Sequence, residues 1–128
     1  MEARPSAGAQ FELDVLGIKE CQPEAHAPLD SDEILMGVQV KVTAKGSGVP
    51  QNYYYGTLQD AEGRSYAASF GGCEPRLTGK PLAAGQTARG FINFRLPRRA
   101  QGLKLAYAPR VAASKKSRGP SVSRELGR

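Results

Sequence analysis

The residues of this 128-residue chain that could do chemistry are two cysteines, one histidine, a short acidic cluster and three consecutive tyrosines. Cys21 and Cys73 stand too far apart for a Cys-x-x-Cys redox or zinc motif. Each falls at the end of a predicted strand beside a proline, in Gln22-Pro23 and Glu74-Pro75. Bonded, they would close a long loop, a restraint worth about 4 kcal/mol in the chain-entropy argument. Unbonded, they are two unrelated thiols, and spacing alone leaves both readings open. His26 lies in a proline-rich loop, and no serine in a Gly-x-Ser-x-Gly setting accompanies it, so a hydrolase triad has no support. Asp30, Asp32 and Glu33 supply the oxygen ligands calcium prefers. Their spacing matches no EF-hand loop, and acids in loops are ordinarily solvated. No cofactor motif stands in the sequence. The expectation is a protein without a catalytic set, a metal or a cofactor.

Tyr53, Tyr54 and Tyr55 are then the leading surface residues. On a predicted strand Tyr53-Gln59 their alternation turns at least one phenol outward, and exposed tyrosine rings anchor sugars and protein partners. The plainer reading is that tyrosine is a good strand former and that one face of the strand is core.

The net charge of +6 suggests a polyanion partner until it is divided along the chain. Residues 1–109 carry 12 Lys/Arg against 11 Asp/Glu, whereas residues 110–128 carry six Lys/Arg against Glu125 alone. The basicity belongs to the tail. Its Arg110, Lys115, Lys116, Arg118 and Arg124 could touch nucleic acid or an anionic membrane through non-specific electrostatics. Sequence-specific nucleic-acid recognition is not expected, because the remainder is nearly neutral and shows no interleaved basic and aromatic residues. The tail, rich in Ser, Gly and charge, is expected to be disordered. The longest apolar runs fall far short of the roughly 18 residues that span a bilayer, so no transmembrane segment is expected. Residues 1–9 read as a flexible N-terminus without an apolar leader. Either Met1 starts a cytoplasmic protein, or a leader ahead of Met1 is removed on export.

The elements that would carry these residues are short strands. Phe11, Leu13 and Val15 alternate with polar neighbours, and Gly17 marks a bulge before Ile18-Cys21. Gln22-Asp32, with Pro23 and Pro28, is a loop. Ile34, Met36, Val38, Val40 and Val42 then share one face of a strand expected to be buried on that side only. Lys45-Pro50 is turn chemistry. Asp60-Gly63 is a hairpin turn joining Thr57-Gln59 to Arg64-Tyr66. Ile92, Phe94 and Leu96 alternate with Phe91, Asn93 and Arg95 up to Pro97, and Leu103-Tyr107 is the last strand. About seven strands with Gly/Pro turns and no amphipathic helical window predict an all-β, immunoglobulin-like antiparallel β-sandwich over residues 10–109. A small barrel is the alternative. There is no Trp in the chain, so antibody-type core packing is excluded.

The run Leu58-Gln59-Asp60, Glu62-Gly63-Arg64-Ser65-Tyr66, followed by Leu82-Ala83-Ala84-Gly85-Gln86-Thr87, Gly90-Phe91-Ile92-Asn93-Phe94-Arg95-Leu96-Pro97 and Leu105-Ala106-Tyr107, resembles the immunoglobulin-like domains of bacterial secreted and envelope lipoproteins. The small secreted immunoprotective antigen of mycobacteria is similar. In that family a final "I-x-F-x-V-P" is usual, and in this chain Leu96 takes the Val position. The resemblance covers about half the chain by motif. It implies a sandwich fold and an extracytoplasmic setting, and it favours the Cys21-Cys73 pairing, since family members often carry a cysteine pair in comparable places. Together these readings give a non-enzymatic binding or scaffold module with a protein or envelope-polymer partner. The alternative is a cytoplasmic adaptor whose basic tail binds a polyanion.

Overall fold

The computed structural model describes residues 11–109 and 122–128. Strands β1 (Phe11–Cys21), β2 (Glu33–Ala44) and β5 (Thr87–Pro97) form one antiparallel sheet in the order β1-β2-β5. The second sheet, ordered β4-β3-β6-β7, comprises β3 (Gly56–Gln59), β4 (Ser65–Ala67), β6 (Lys104–Tyr107) and β7 (Val122–Glu125). The fold is thus the expected all-β sandwich of seven strands.

The alternation read along the sequence sets the packing. Phe11, Leu13, Met36, Val38, Val40, Ile92 and Phe94 from the first sheet meet Leu58, Leu105 and Tyr107 from the second in one buried cluster. The β1-β2 register slips between Val15 and Gly17, and Leu16, on the bulge, is left exposed. The Asp60–Gly63 hairpin closes as expected, with Gly63 at φ 87°, a conformation in which a side chain would be strained. The Asp60 carboxylate completes the turn by accepting from the amides of Glu62 and Arg64.

Three expectations are corrected. Tyr53–Tyr55 is a 3-10 helix and not the start of a strand, so strand alternation does not orient its rings. Asn52 caps it, its side-chain oxygen accepting from the Tyr54 amide at 3.3 Å. A residue that prefers caps follows shortly after Pro50, and a turn wins over β-propensity. Strand β2 is buried on both faces along Ile34–Val38, because a second cluster of Cys21, Leu35, Cys73 and Phe91 covers the outer face of its sheet. The sandwich also does not end at Pro109. Part of the predicted disordered tail is β7, which pairs antiparallel with β6 from Lys104↔Glu125 to Tyr107↔Val122. Residues 1–10 and 110–121 lie outside the described residues, and with them the expectation for residues 1–9 and the basic residues Arg110, Lys115, Lys116 and Arg118. No helix among the described residues is long and apolar enough to cross a membrane.

Candidate partner-binding surface

Strand β5 and the loop following β4 build the surface jointly. Asn93 lies inside β5 with no solvent exposure, opposite Gly37 of β2. Its side-chain amide treats Cys73 as a strand partner: Oδ1 accepts from the Cys73 amide at 3.0 Å, and Nδ2 donates to the Cys73 carbonyl at 3.2 Å. The Asn93 carbonyl also accepts from the Ser69 amide. Further along, Phe91 donates to Pro75 O and accepts from Leu77 N. The loop from Ser69 to Leu77 is therefore bound along the edge of β5, where an open strand would otherwise present unpaired backbone.

The expected cysteine pair is bonded. Cys21, the last residue of β1, reaches Cys73 with a Cα–Cα distance of 5.3 Å and closes a separation of 52 residues. Both cysteines are buried against Leu35 and Phe91. The site has no spare room, since a Cβ on Gly37 would stand 2.7 Å from Cys21 Sγ and 2.9 Å from Asn93 Oδ1.

Anchored in this way, the loop places Phe70 and Arg76 beside the tyrosines. The Arg76 guanidinium carbon sits 4.1 Å from the centre of the Phe70 ring and 5.6 Å from that of Tyr53, within cation–π range. Arg76 also donates from Nη1 to Phe70 O at 3.2 Å and lies 3.5 Å from the Glu74 carboxylate. Edge-to-face ring contacts continue from Phe70 through Tyr53 and Tyr54 to Tyr55, and from there to Tyr107 and Phe11 in the core. Burial pushes the Tyr107 hydroxyl above the usual phenol range, so it stays neutral; it accepts from the Asn52 amide and holds the helix entry. At the outer end Tyr54 and Phe70 are each 63% exposed. Two large aromatic rings are thus held in place with their outer surfaces in water. A cleft of about 120 Å³ beside Phe70 is lined by Pro23, His26, Ala27, Leu35 and Arg95.

Of the acidic residues weighed for calcium, Glu33 is engaged within the fold. Glu33 pairs with Arg95 at 3.2 Å and accepts from the Asp30 amide at 2.9 Å. The Asp30 amide, opposed by partial burial and reinforced by Arg95, holds the Glu33 carboxyl below the usual range. Arg95 also donates to Ala27 O and Pro28 O, and so ties down the 22–32 loop. Asp30, Asp32 and His26 are exposed, with His26 Nε2 3.6 Å from Glu24. Among the described residues no group of three His, Cys, Asp or Glu could hold a metal. Of the basic residues proposed for polyanion contact, Arg124 is on β7, exposed, and donates to Ser123 O. Of the surface, sequence reasoning picked out the tyrosines and missed Phe70 and Arg76. Their only sequence signal was an aromatic residue among small ones, in Ala68-Ser69-Phe70-Gly71-Gly72.

Two antiparallel sheets packed on one core, with a disulfide pinning a long loop to the outer face, define an immunoglobulin-like β-sandwich. The chain belongs to the DUF4352 family, a domain of unknown function, which matches residues 8–118. A crystal structure of a candidate lipoprotein from Bacillus subtilis, ycdA, is similar in fold, with a TM-score of 0.62 at 14% identity over 94% of this chain. This chain spans 38% of that protein's length. No curated protein matches the sequence.

Proposed function

We propose that the domain is a non-enzymatic, extracytoplasmic binding module that presents Tyr53, Tyr54, Phe70 and Arg76 to a protein partner or an envelope polymer. The observation that carries the reading is the exposed pair of aromatic rings, Phe70 on the disulfide-anchored loop under Arg76 and Tyr54 edge-on to Tyr53, which the same guanidinium covers. Aromatic and arginine side chains dominate binding energy at interfaces, and rings already held in place lose little freedom on association. The bonded cysteines support an oxidising compartment. The fold shared with a candidate lipoprotein points the same way. The non-enzymatic reading is supported by the use of Glu33, Arg95, Asp60 and Tyr66 as loop and turn fasteners.

Two measurements test it. Protein taken from the producing cell, acid-quenched and alkylated, should show no reactive thiol; two alkylated cysteines would overturn the compartment and favour a cytoplasmic adaptor. A photo-reactive phenylalanine at position 54 or 70 should give discrete adducts in the producing cell, while the same group at exposed Arg89 should not. Identical adduct patterns at the three positions would refute the surface.

A further inference from the structure

The edge of β6 carries an independent feature. The family match stops at residue 118, and β7 lies wholly beyond it, so among the described residues of the match β6 is the outermost strand of its sheet. In this chain Val122–Leu126 lies along that edge. The attachment is mainly through backbone: the β6-β7 ladder, Leu126 N donating to Leu103 O, and Leu103 N donating to Arg128 O. Side chains attach it at three points, one of them the Arg128 guanidinium, which donates to Arg98 O at 3.0 Å and to the Met36 sulfur at 3.8 Å. Val122 and Leu126, four positions apart and so on one face of an extended segment, are partly buried against the core. Ser123, Arg124 and Glu125 are exposed. Beneath the segment, Leu103, Leu105 and Tyr107 are fully buried. Fourteen residues separate Tyr107 from Val122, against the two to five of an ordinary hairpin loop. The segment is thus appended, long-tethered and held chiefly by main-chain pairing.

We propose that the β6 edge is a strand-addition site for an extended polypeptide, and that residues 122–128 occupy it in cis as a built-in competitor. The seated segment shows what the edge accepts. It takes an apolar residue opposite Tyr107, a second apolar residue four positions later, and between them an acid opposite Lys104, as Val122, Leu126 and Glu125 are placed. Recognition of this kind takes its affinity from the backbone ladder and its selectivity from alternate side chains. A partner segment gains access to the extent that the chain's own strand leaves, so its apparent affinity falls by the fraction of molecules with an open edge.

The test uses the full-length chain and a synthetic peptide of residues 122–128, followed by NMR up to millimolar peptide, the order of effective concentration against which a tethered segment competes. In the variant V122D/L126D, with its sandwich verified by circular dichroism, the peptide should shift the β6 amides and bind at least tenfold more tightly than to the unaltered chain. In A106C/S123C, where a second disulfide joins facing residues of β6 and β7, binding should vanish. Equal affinity in all three proteins, or no binding to V122D/L126D, would overturn the proposal. Hydrogen exchange on the unaltered chain is a second readout that needs no variant. The β7 amides should exchange at least a hundredfold faster than those of β2, and equal protection would refute a displaceable strand.

Discussion

Asn93 shows how much one buried amide can organise. Strand alternation put it on the outward face of β5 with Phe91 and Arg95, and the ordinary reading of such a position is solvent. The face is covered instead, so the amide satisfies both backbone groups of Cys73 and holds the loop on the sheet. Replacing Asn93 by Ala strands a buried donor and acceptor, and the expected loss is about 3 kcal/mol, read from urea denaturation with the disulfide intact. At Glu33 the sign of the pH effect follows from its depressed carboxyl. Its contribution is present above the unfolded value of about 4.3 and is lost as pH falls through the lower folded value. Thermal stability should therefore drop more steeply below about pH 4 in the parent than in Glu33→Gln. Asp60 works in the same direction: burial opposes ionisation but is outweighed by Tyr66 and by the Arg64 and Glu62 amides, so some acid sensitivity should remain in that variant.

At the scale of elements, strands with strict alternation were readable because a half-buried pleated surface imposes a period of two. The hairpin at Gly63 was readable because its turn needs a positive φ, and the bulge because Gly17 interrupts the alternation of Phe11, Leu13 and Val15. The Tyr53–Tyr55 helix was not, since three consecutive strand formers read as β, and the Asn52 cap that turns the chain there acts through one local hydrogen bond. Strand β7 escaped because an edge strand stabilised by main-chain pairing needs few apolar residues, and Ser123-Arg124-Glu125 offers none. The outer face of β2 escaped because Leu35 and Phe91 pack on a loop distant in sequence. The disulfide between β1 and that loop should stabilise by about 4 kcal/mol through restriction of the unfolded chain. Replacing both cysteines by Ala should lower the denaturation midpoint accordingly, with the strands retained in the far-ultraviolet spectrum. Unchanged stability would show that the covered loop holds without the bond.

Over the whole molecule the pairing is mostly remote in sequence. Met36 of β2 faces Phe94 of β5, while Leu58 of β3 waits for Leu105 of β6. Chains built this way close long loops before contacts compensate, so oxidised protein should refold on a millisecond-to-second scale, measurable by stopped-flow tyrosine fluorescence. Architecture was legible from the sequence because six of the seven strands, with their turns, agree on two sheets. The binding surface was half legible: its tyrosines are consecutive in the sequence, whereas Phe70 and Arg76 join them only through the path of a loop. That loop sets a condition on when the surface exists. Cys73 sits between Phe70 and Arg76, the two residues that frame the exposed rings, and is bolted there by a bond that thiol-rich cytoplasm breaks. Without the bond, Phe70 and Arg76 would sit on a loop held by the Asn93 amide and the β5 backbone alone, while Tyr53 and Tyr54 would keep their capped helix. Closing the bond would therefore stiffen the half of the candidate surface that carries Phe70 and Arg76 against the half that carries the tyrosines, so that oxidation tunes how well the two are kept in register.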